Sequence, residues 1–495
     1  MIKDLKPIML GGTGSDVGKS MLAAGLCRIF KQDGYNPAPF KAQNMALNSF
    51  VTPDGLEIGR AQAVQAEAAG VECSAEMNPV LLKPSGDMTA QVIVLGKPTG
   101  NNDAYRYFQK EHKEPLRQVA CEAFDRLSAA YNPIVMEGAG SIAEMNLQDA
   151  DIVNMPMAAY ADAAVILVAD IDRGGVFASA YGSIMLQPEK YRKLIKGIII
   201  NKFRGDSRLF EKGRHQLEQI CGVPVLGVIP YMRDIHVEEE DSVSLLKKNT
   251  CHSDKNLVNV AVVALPHLSN FTDFDTLSRD PRVHLYFTSA PEEIEAADII
   301  IVPGSKNTIG DLTKLREEGC ADAVVRAAEK GHTVMGICGG YQMLGRTVND
   351  PEGVEGRIAE IPGLGLLPVS TVLKGDKTVR RVKFSIDGGN TDNKGYEIHM
   401  GETVLEDGAA GMTLKSDGSA DGCVCGNVYG SYIHGILDNL TVIDKLLLPY
   451  AEKKNLPLTA GIEPYRKYKE RQYDALADRM REYLDMDQLY KIMGR

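Results

Sequence analysis

A glycine-rich run, Gly11-Gly12-Thr13-Gly14-Ser15-Asp16-Val17-Gly18-Lys19-Ser20, and a cysteine set among glycines, Gly336-Ile337-Cys338-Gly339-Gly340, stand far apart in one chain. The first offers backbone N–H groups and a lysine to a triphosphate. The second offers a sulfur nucleophile on a sharp turn to a carbonyl carbon. An ATP-driven reaction fed by a cysteine-dependent one is the chemistry that needs both. In the phosphate loop Lys19 is expected to reach the β- and γ-phosphates and Ser20 to hold Mg²⁺. The amides of Gly14, Ser15, Asp16, Val17, Gly18 and Lys19 would line the phosphate path. At the cysteine, glycines on both sides permit a strained backbone, and the Gly339 amide is placed to stabilise a tetrahedral oxyanion. His434, in Gly430-Ser431-Tyr432-Ile433-His434-Gly435, is the expected general base, with His399 as a rival.

These groups need elements to hold them. The apolar run Pro7–Leu10 before the phosphate loop and the helical pattern Ser20–Phe30 after it give a strand–loop–helix. Further apolar runs at Ile134–Met136, Ala163–Val168, Gly197–Ile200 and Val225–Val228 alternate with helical stretches, the pattern of a doubly wound parallel sheet. A second series runs through Val258–Ala264, Ile299–Val302, Thr333–Ile337 and Gly426–Ile433. The expected fold class is therefore α/β, with two doubly wound domains spanning 1–230 and 257–445. The charged stretch 231–256 reads as the connection between them. Residues 446–495, including charged helical sequence at Tyr465–Glu482, read as a helical extension packed on the second domain.

Composition narrows the class. A chain of 495 residues exceeds what one core fills. With 44% hydrophobic and 24% charged residues and no long apolar run, it reads as globular, with no membrane partner. The apolar strand begins so close to Met1 that no signal peptide is expected, which points to the cytoplasm. Nine cysteines without metal or redox spacing do not make a disulfide framework. A net charge of −11 argues against a nucleic-acid partner.

The phosphate loop carries its first glycine, Gly12, one residue early, with Thr13 in the usual glycine position. This arrangement resembles dethiobiotin synthetase and its relatives, which activate carboxylates or carbamates with ATP. The resemblance implies that Glu137, in Met136-Glu137-Gly138-Ala139-Gly140, is a second Mg²⁺-associated acid and that Asn201 contacts adenine. The lysine that marks the MinD and ParA group is absent at Gly14. The cysteine elbow is similar to that of class I glutamine amidotransferases, which release ammonia from glutamine through a cysteinyl thioester. On that resemblance Gly304, in Val302-Pro303-Gly304-Ser305-Lys306, completes the oxyanion hole with Gly339. The class I pattern has Glu two residues after the histidine, where this chain has Ile436. Either Cys338 and His434 form a dyad or another acid orients the imidazole. Glu397 and Asp438 are weak candidates, and the position is left unassigned.

The combination resembles the cobalamin-pathway amidases over essentially the whole chain. In that family one branch amidates the a and c carboxylates of a corrinoid and another the b, d, e and g carboxylates. Phe40-Lys41-Ala42-Gln43-Asn44-Met45-Ala46-Leu47-Asn48-Ser49 and Asp170-Ile171-Asp172-Arg173-Gly174-Gly175 are similar to the second branch. The resemblance implies ATP, Mg²⁺, glutamine and a corrinoid as small-molecule partners, with cobalt arriving inside the corrinoid. Lys41, Asn44, Asn48 and Arg173 are the expected contacts to its carboxylates, because cationic and amide donors suit oxygen-rich groups. A rival reading is a P-loop switch ATPase with a degenerate amidotransferase module used for docking. Cys338 together with His434 argues against degeneracy.

Overall fold

A computed structural model describes residues 4–86, 89–103, 110–238, 253–356, 358–386, 388–389 and 392–495. Glu239, Glu240, Asp241, Lys247, Lys248 and Asn249 of the charged connection lie outside the described residues. The first sheet is six-stranded and parallel, in the order Val225–Pro230, Ile195–Phe203, Ala164–Asp170, Ile8–Gly12, Ile134–Glu137, Ala38–Phe40. The inner stretches of its strands are apolar because helices cover both faces, and the polar residues Glu137, Asp170 and Asn201 stand toward the carboxyl ends. Strand Ile8–Gly12 lies in the middle, so the loop that follows it opens at the centre of the sheet's carboxyl edge, where open α/β sheets bind ligands.

The second sheet runs in the order Val283–Thr288, Val258–Val263, Ile299–Val302, Thr333–Ile337, Val428–Ser431, Cys423–Cys425. All its pairs are parallel except the last. Strand Thr333–Ile337 is again central, and the cysteine follows it directly. Two further sheets, of four and seven strands, follow neither pattern. One contains Gln43–Met45, Val80–Gly86, Thr89–Val94 and Lys97–Asp103. The other is built on the long hairpin Val369–Ser385 with Asn393–Leu405, which reaches across to the first domain. There Arg381 Nε donates to Val51 O at 2.8 Å, and Phe50 meets the edge of Tyr396 at 5.0 Å. No helix among the described residues is long and apolar enough to cross a membrane.

The C-terminal extension corrects an expectation. Helix Leu440–Lys453 contributes Val442, Ile443 and Leu447 to the second domain's core, but helix Tyr465–Tyr483 returns to the first domain. Tyr473, Leu476, Ala477 and Met480 recur at helical spacing and bury against helix Lys19–Gln32. Arg28, nearly enclosed, pairs with Glu470 at 2.8 Å and Asp474 at 2.7 Å. The expectation placed this helix on the second domain, yet its apolar stripe fits the phosphate-loop helix of the first. Gly25 is the closest point of approach: a Cβ there would stand 2.0 Å from Met480 Sδ and 3.2 Å from Leu476 Cγ. Gly25→Val is therefore expected to destabilise the first domain by about 2–3 kcal/mol through overpacking, read as a lower denaturation midpoint. An unchanged midpoint would place the C-terminal helix elsewhere.

Candidate active site

The phosphate loop is held by its own side chains and by the neighbouring strand ends. Gly18 adopts φ 96°, a left-handed conformation suited to glycine, at the N-terminus of helix Lys19–Gln32. A Cβ on Gly18 would lie 2.2 Å from Asn201 Nδ2, which instead donates to Val17 O at 2.8 Å. Asn201 thus braces the loop while lining the cavity in front of it. Lys19 Nζ donates to Gly14 O at 2.8 Å and Gly140 O at 2.9 Å. The glycine at position 12 leaves room for that ammonium, since a Cβ would approach it to 2.7 Å.

Glu137 sits beneath the loop. Its Oε1 accepts from Ser20 Oγ at 2.8 Å and Lys41 Nζ at 2.9 Å, and its Oε2 from Gln65 Nε2 at 2.6 Å. Burial favours the neutral acid, but the Lys41 charge and these three donors together hold the carboxyl below its ordinary range. Hard oxygen donors side by side, Ser20 hydroxyl and Glu137 carboxylate, suit Mg²⁺, which is commonly held by one or two carboxylates together with substrate phosphates.

In front lies a cavity of about 1330 Å³. Its floor is the phosphate loop and its side the segment from Lys41 to Leu47, with Arg173 at the mouth, 63% of its side chain exposed. The opposite wall comes from elsewhere: Phe271, Arg279 and Phe287 of the second domain and Tyr465, Tyr468 and Lys469 of the C-terminal helix. Lys41, Asn44 and Arg173 line this space. Asn48 does not: it is fully buried, and its Oδ1 accepts from Phe271 N at 3.2 Å, so its expected contact with a ligand is replaced by one between domains.

The cysteine elbow has the strain its glycines anticipate. Cys338 lies at φ 51°, ψ −109°, between buried strand Thr333–Ile337 and helix Gly339–Leu344. Its amide donates to Ser431 O at 2.8 Å, which ties the elbow to the strand leading to His434. A Cβ on Gly340 would stand 1.9 Å from Val302 O, and one on Gly339 would stand 2.9 Å from Ser305 N. The Gly304 loop therefore closes directly on the elbow. A Cβ on Gly304 would reach within 3.0 Å of His434 Cε1.

The acid that faces the imidazole is Asp273. Its Oδ2 lies 2.7 Å from His434 Nδ1, and its Oδ1 accepts from Gly435 N at 2.8 Å. Burial alone would depress the His434 pKa, but the Asp273 carboxylate and the neighbouring Cys338 side chain overcome it and raise the value to about 10. Neither earlier candidate does this work. Glu397 is paired with Arg380 and with Lys415, and Asp438 accepts from Thr276 Oγ1 at 3.0 Å. His399 is stacked on Tyr432 at 3.8 Å with Nδ1 at 2.8 Å from Gly401 O, and burial lowers its pKa to about 4. Ile436, in the position of the usual glutamate, is buried in the core.

Asp273→Asn is expected to lower glutamine hydrolysis by about 10²–10⁴-fold, because the amide no longer stabilises an imidazolium. The same charge pair sets a pH dependence. The folded His434 value of about 10 lies above the ordinary 6.5, so its contribution to stability is complete below pH 6.5 and disappears as pH rises through 10. Removing Asp273 should flatten that alkaline decline in melting temperature. A variant with an unchanged alkaline profile would separate Asp273 from His434.

Two family descriptions match the chain: a CobQ/CobB/MinD/ParA nucleotide binding domain over residues 8–245 and a CobB/CobQ-like glutamine amidotransferase domain over 259–442. Fold and site thus define a glutamine-dependent amide ligase with a P-loop nucleotide-binding half. The chain is 62% identical over 497 residues to the cobyric acid synthase of Phocaeicola vulgatus, covering 100% of this chain and 99% of that one. It is 59% identical to the cobyric acid synthase of Bacteroides fragilis over 496 residues, with the same coverage. It is 49% identical to that of Salmonella arizonae over 500 residues, 98% of each chain. The chain belongs to the cobyric acid synthase family. It is an enzyme, and the reading of its second half as a docking module is set aside.

Proposed function

We propose that the chain converts the b, d, e and g carboxylates of adenosylcobyrinic acid a,c-diamide to carboxamides, consuming ATP and glutamine in the cytoplasm. The observation that carries this reading is the cavity between the phosphate loop and the second domain. Its volume of about 1330 Å³ exceeds that of an ordinary small-molecule site, roughly 300–1,000 Å³, as a broad corrinoid requires. Each substrate carboxylate attacks the γ-phosphorus, releasing ADP and leaving an acyl phosphate. Ammonia then attacks the acyl carbon and expels phosphate.

In this reading Lys19 and the loop amides neutralise the transferring phosphoryl group. Ser20 and Glu137 would hold Mg²⁺, which when bound supplies charge neutralisation at the phosphates. Lys41, Asn44 and Arg173 orient the acceptor carboxylates. In the second half, Cys338 Sγ attacks the glutamine carboxamide carbon, and His434 gives its proton to the departing ammonia. Water then opens the thioester to glutamate, with the amides around Gly304 and Gly339 bearing the oxyanion. Asp273 holds the imidazole throughout.

Mass spectrometry of the enzyme incubated with ATP, Mg²⁺, glutamine and adenosylcobyrinic acid a,c-diamide tests the reading. Stepwise loss of about one mass unit per carboxylate, ending at the fully amidated acid, is expected. Amidation of the a and c carboxylates of the non-amidated acid instead would assign the other branch of the family.

A further inference from the structure

The acid that completes the glutaminase site is not secured by its own domain alone. Asp273 lies on the short turn Phe271–Phe274, which starts at Asn270 in a left-handed conformation, φ 53°. Two buried bonds fasten this turn to the first domain. Phe271 N donates to Asn48 Oδ1 at 3.2 Å, and Ser49 N donates to Asn270 Oδ1 at 2.9 Å. Each domain thus gives one amide and one side-chain oxygen. Both asparagines are almost wholly enclosed, Asn48 at 0% and Asn270 at 3% exposure, so neither bond is exchanged for water. Asn48 is itself tied down, its carbonyl accepting from Arg60 N at 3.2 Å. Arg60 forms a two-pronged pair with Glu238.

We infer that Asn48 and Asn270 are positioning residues for the glutaminase, through which the synthetase half sets Asp273 against His434. The path is short and covalently continuous: Asn48 holds the first amide of the turn, Asp273 follows two residues later, and its carboxylate fixes both the His434 ring and the Gly435 amide. A carboxylate at 2.7 Å from Nδ1 is sensitive to small displacements, because positioning errors of about 1 Å at a catalytic group cost on the order of 10²-fold. Asn48 also ends the segment whose residues Lys41 to Leu47 line the large cavity. The wall of one site and the clamp on the other are therefore a single stretch of chain.

The inference rests on Cys338, His434 and Asp273 being the glutaminase residues, and the experiment separates the two. Glutamine hydrolysis and ammonia-driven amidation are measured for Asn48→Ala, Asn270→Gly, Asp273→Asn, Cys338→Ala and the Asn48→Ala/Asp273→Asn double variant. Asn270→Gly removes the acceptor while keeping the left-handed backbone accessible. Each clamp variant is expected to lower glutaminase kcat about 10-fold or more, with the glutamine KM within about twofold and ammonia-driven synthesis unchanged. In the Asp273→Asn background Asn48→Ala should have no further effect, since both act through one contact. Asn48→Asp, which retains an oxygen for the Phe271 amide, should recover most of the loss. Additive effects of Asn48→Ala and Asp273→Asn, or parallel loss of both activities in the clamp variants, would overturn the inference. Full glutaminase activity in Asp273→Asn or Cys338→Ala would instead overturn the site on which it rests.

Discussion

Cys338→Ala is expected to reduce glutamine-driven amide formation by at least about 10³-fold while ammonia-driven formation stays within about twofold of the parent enzyme. The sulfur is the only group at the elbow placed to form the thioester, and alanine leaves the elbow's backbone to its glycines. Gly336, Gly339 and Gly340 set the approach of the strand, the Gly304 loop and the following helix, so the fold does not depend on the thiol. In the proposed reaction acyl phosphate formation is assigned to Lys19, Ser20 and Glu137, which lie at the phosphate loop of the first domain and not at the elbow. Initial rates with glutamine and with ammonium salt at mildly alkaline pH, where free ammonia is available, check this. A folded variant that loses both activities would mean that the two halves do not run separable steps.

The two central strands and the loops after them were legible because parallel sheets buried on both faces give unbroken apolar runs, and because the phosphate loop and cysteine elbow need glycines at fixed positions. Ser20 and Glu137, far apart in sequence, meet because strands Ile8–Gly12 and Ile134–Glu137 are neighbours, with Leu10 opposite Glu137. Asp273 was not legible for the converse reason. It precedes its histidine by a long stretch of chain, sits on a turn of four residues, and has no periodic pattern around it. The one local signal is Asn270, a residue type that tolerates a left-handed turn, and that signal is generic. Reading the acid from its usual place after the histidine fails because the chain there turns Ile436 into the core.

For helix Tyr465–Tyr483 and for Asn48, partner geometry decides what residue type and position in the chain do not. Tyr473, Leu476 and Met480 form an apolar stripe on an otherwise charged helix, so the stripe docks and the charges pair at its rim. Asn48 has the chemistry to bind a carboxylate but lies one residue beyond the cavity wall, where the Phe271 backbone amide of the second domain is its partner.

Lys19→Ala is expected to abolish synthesis from either nitrogen source, by about 10²–10⁴-fold, while glutamine hydrolysis persists. The ammonium is nearly buried and held by two loop carbonyls, Gly14 O and Gly140 O, so it is already within the loop that would wrap the phosphates. Alanine removes the charge from the point where negative charge is transferred, and it empties the space beside Gly12, where a Cβ would stand 2.7 Å from the lysine terminus. Nucleotide binding weakens less than turnover, because the loop amides and the Gly18 turn remain. The contrast with Cys338→Ala is the informative part: one substitution removes a nitrogen source, the other removes the activation that both sources require. Should Lys19→Ala keep ammonia-driven synthesis, carboxylate activation would have to occur away from this loop, and the cavity in front of it would lose its role.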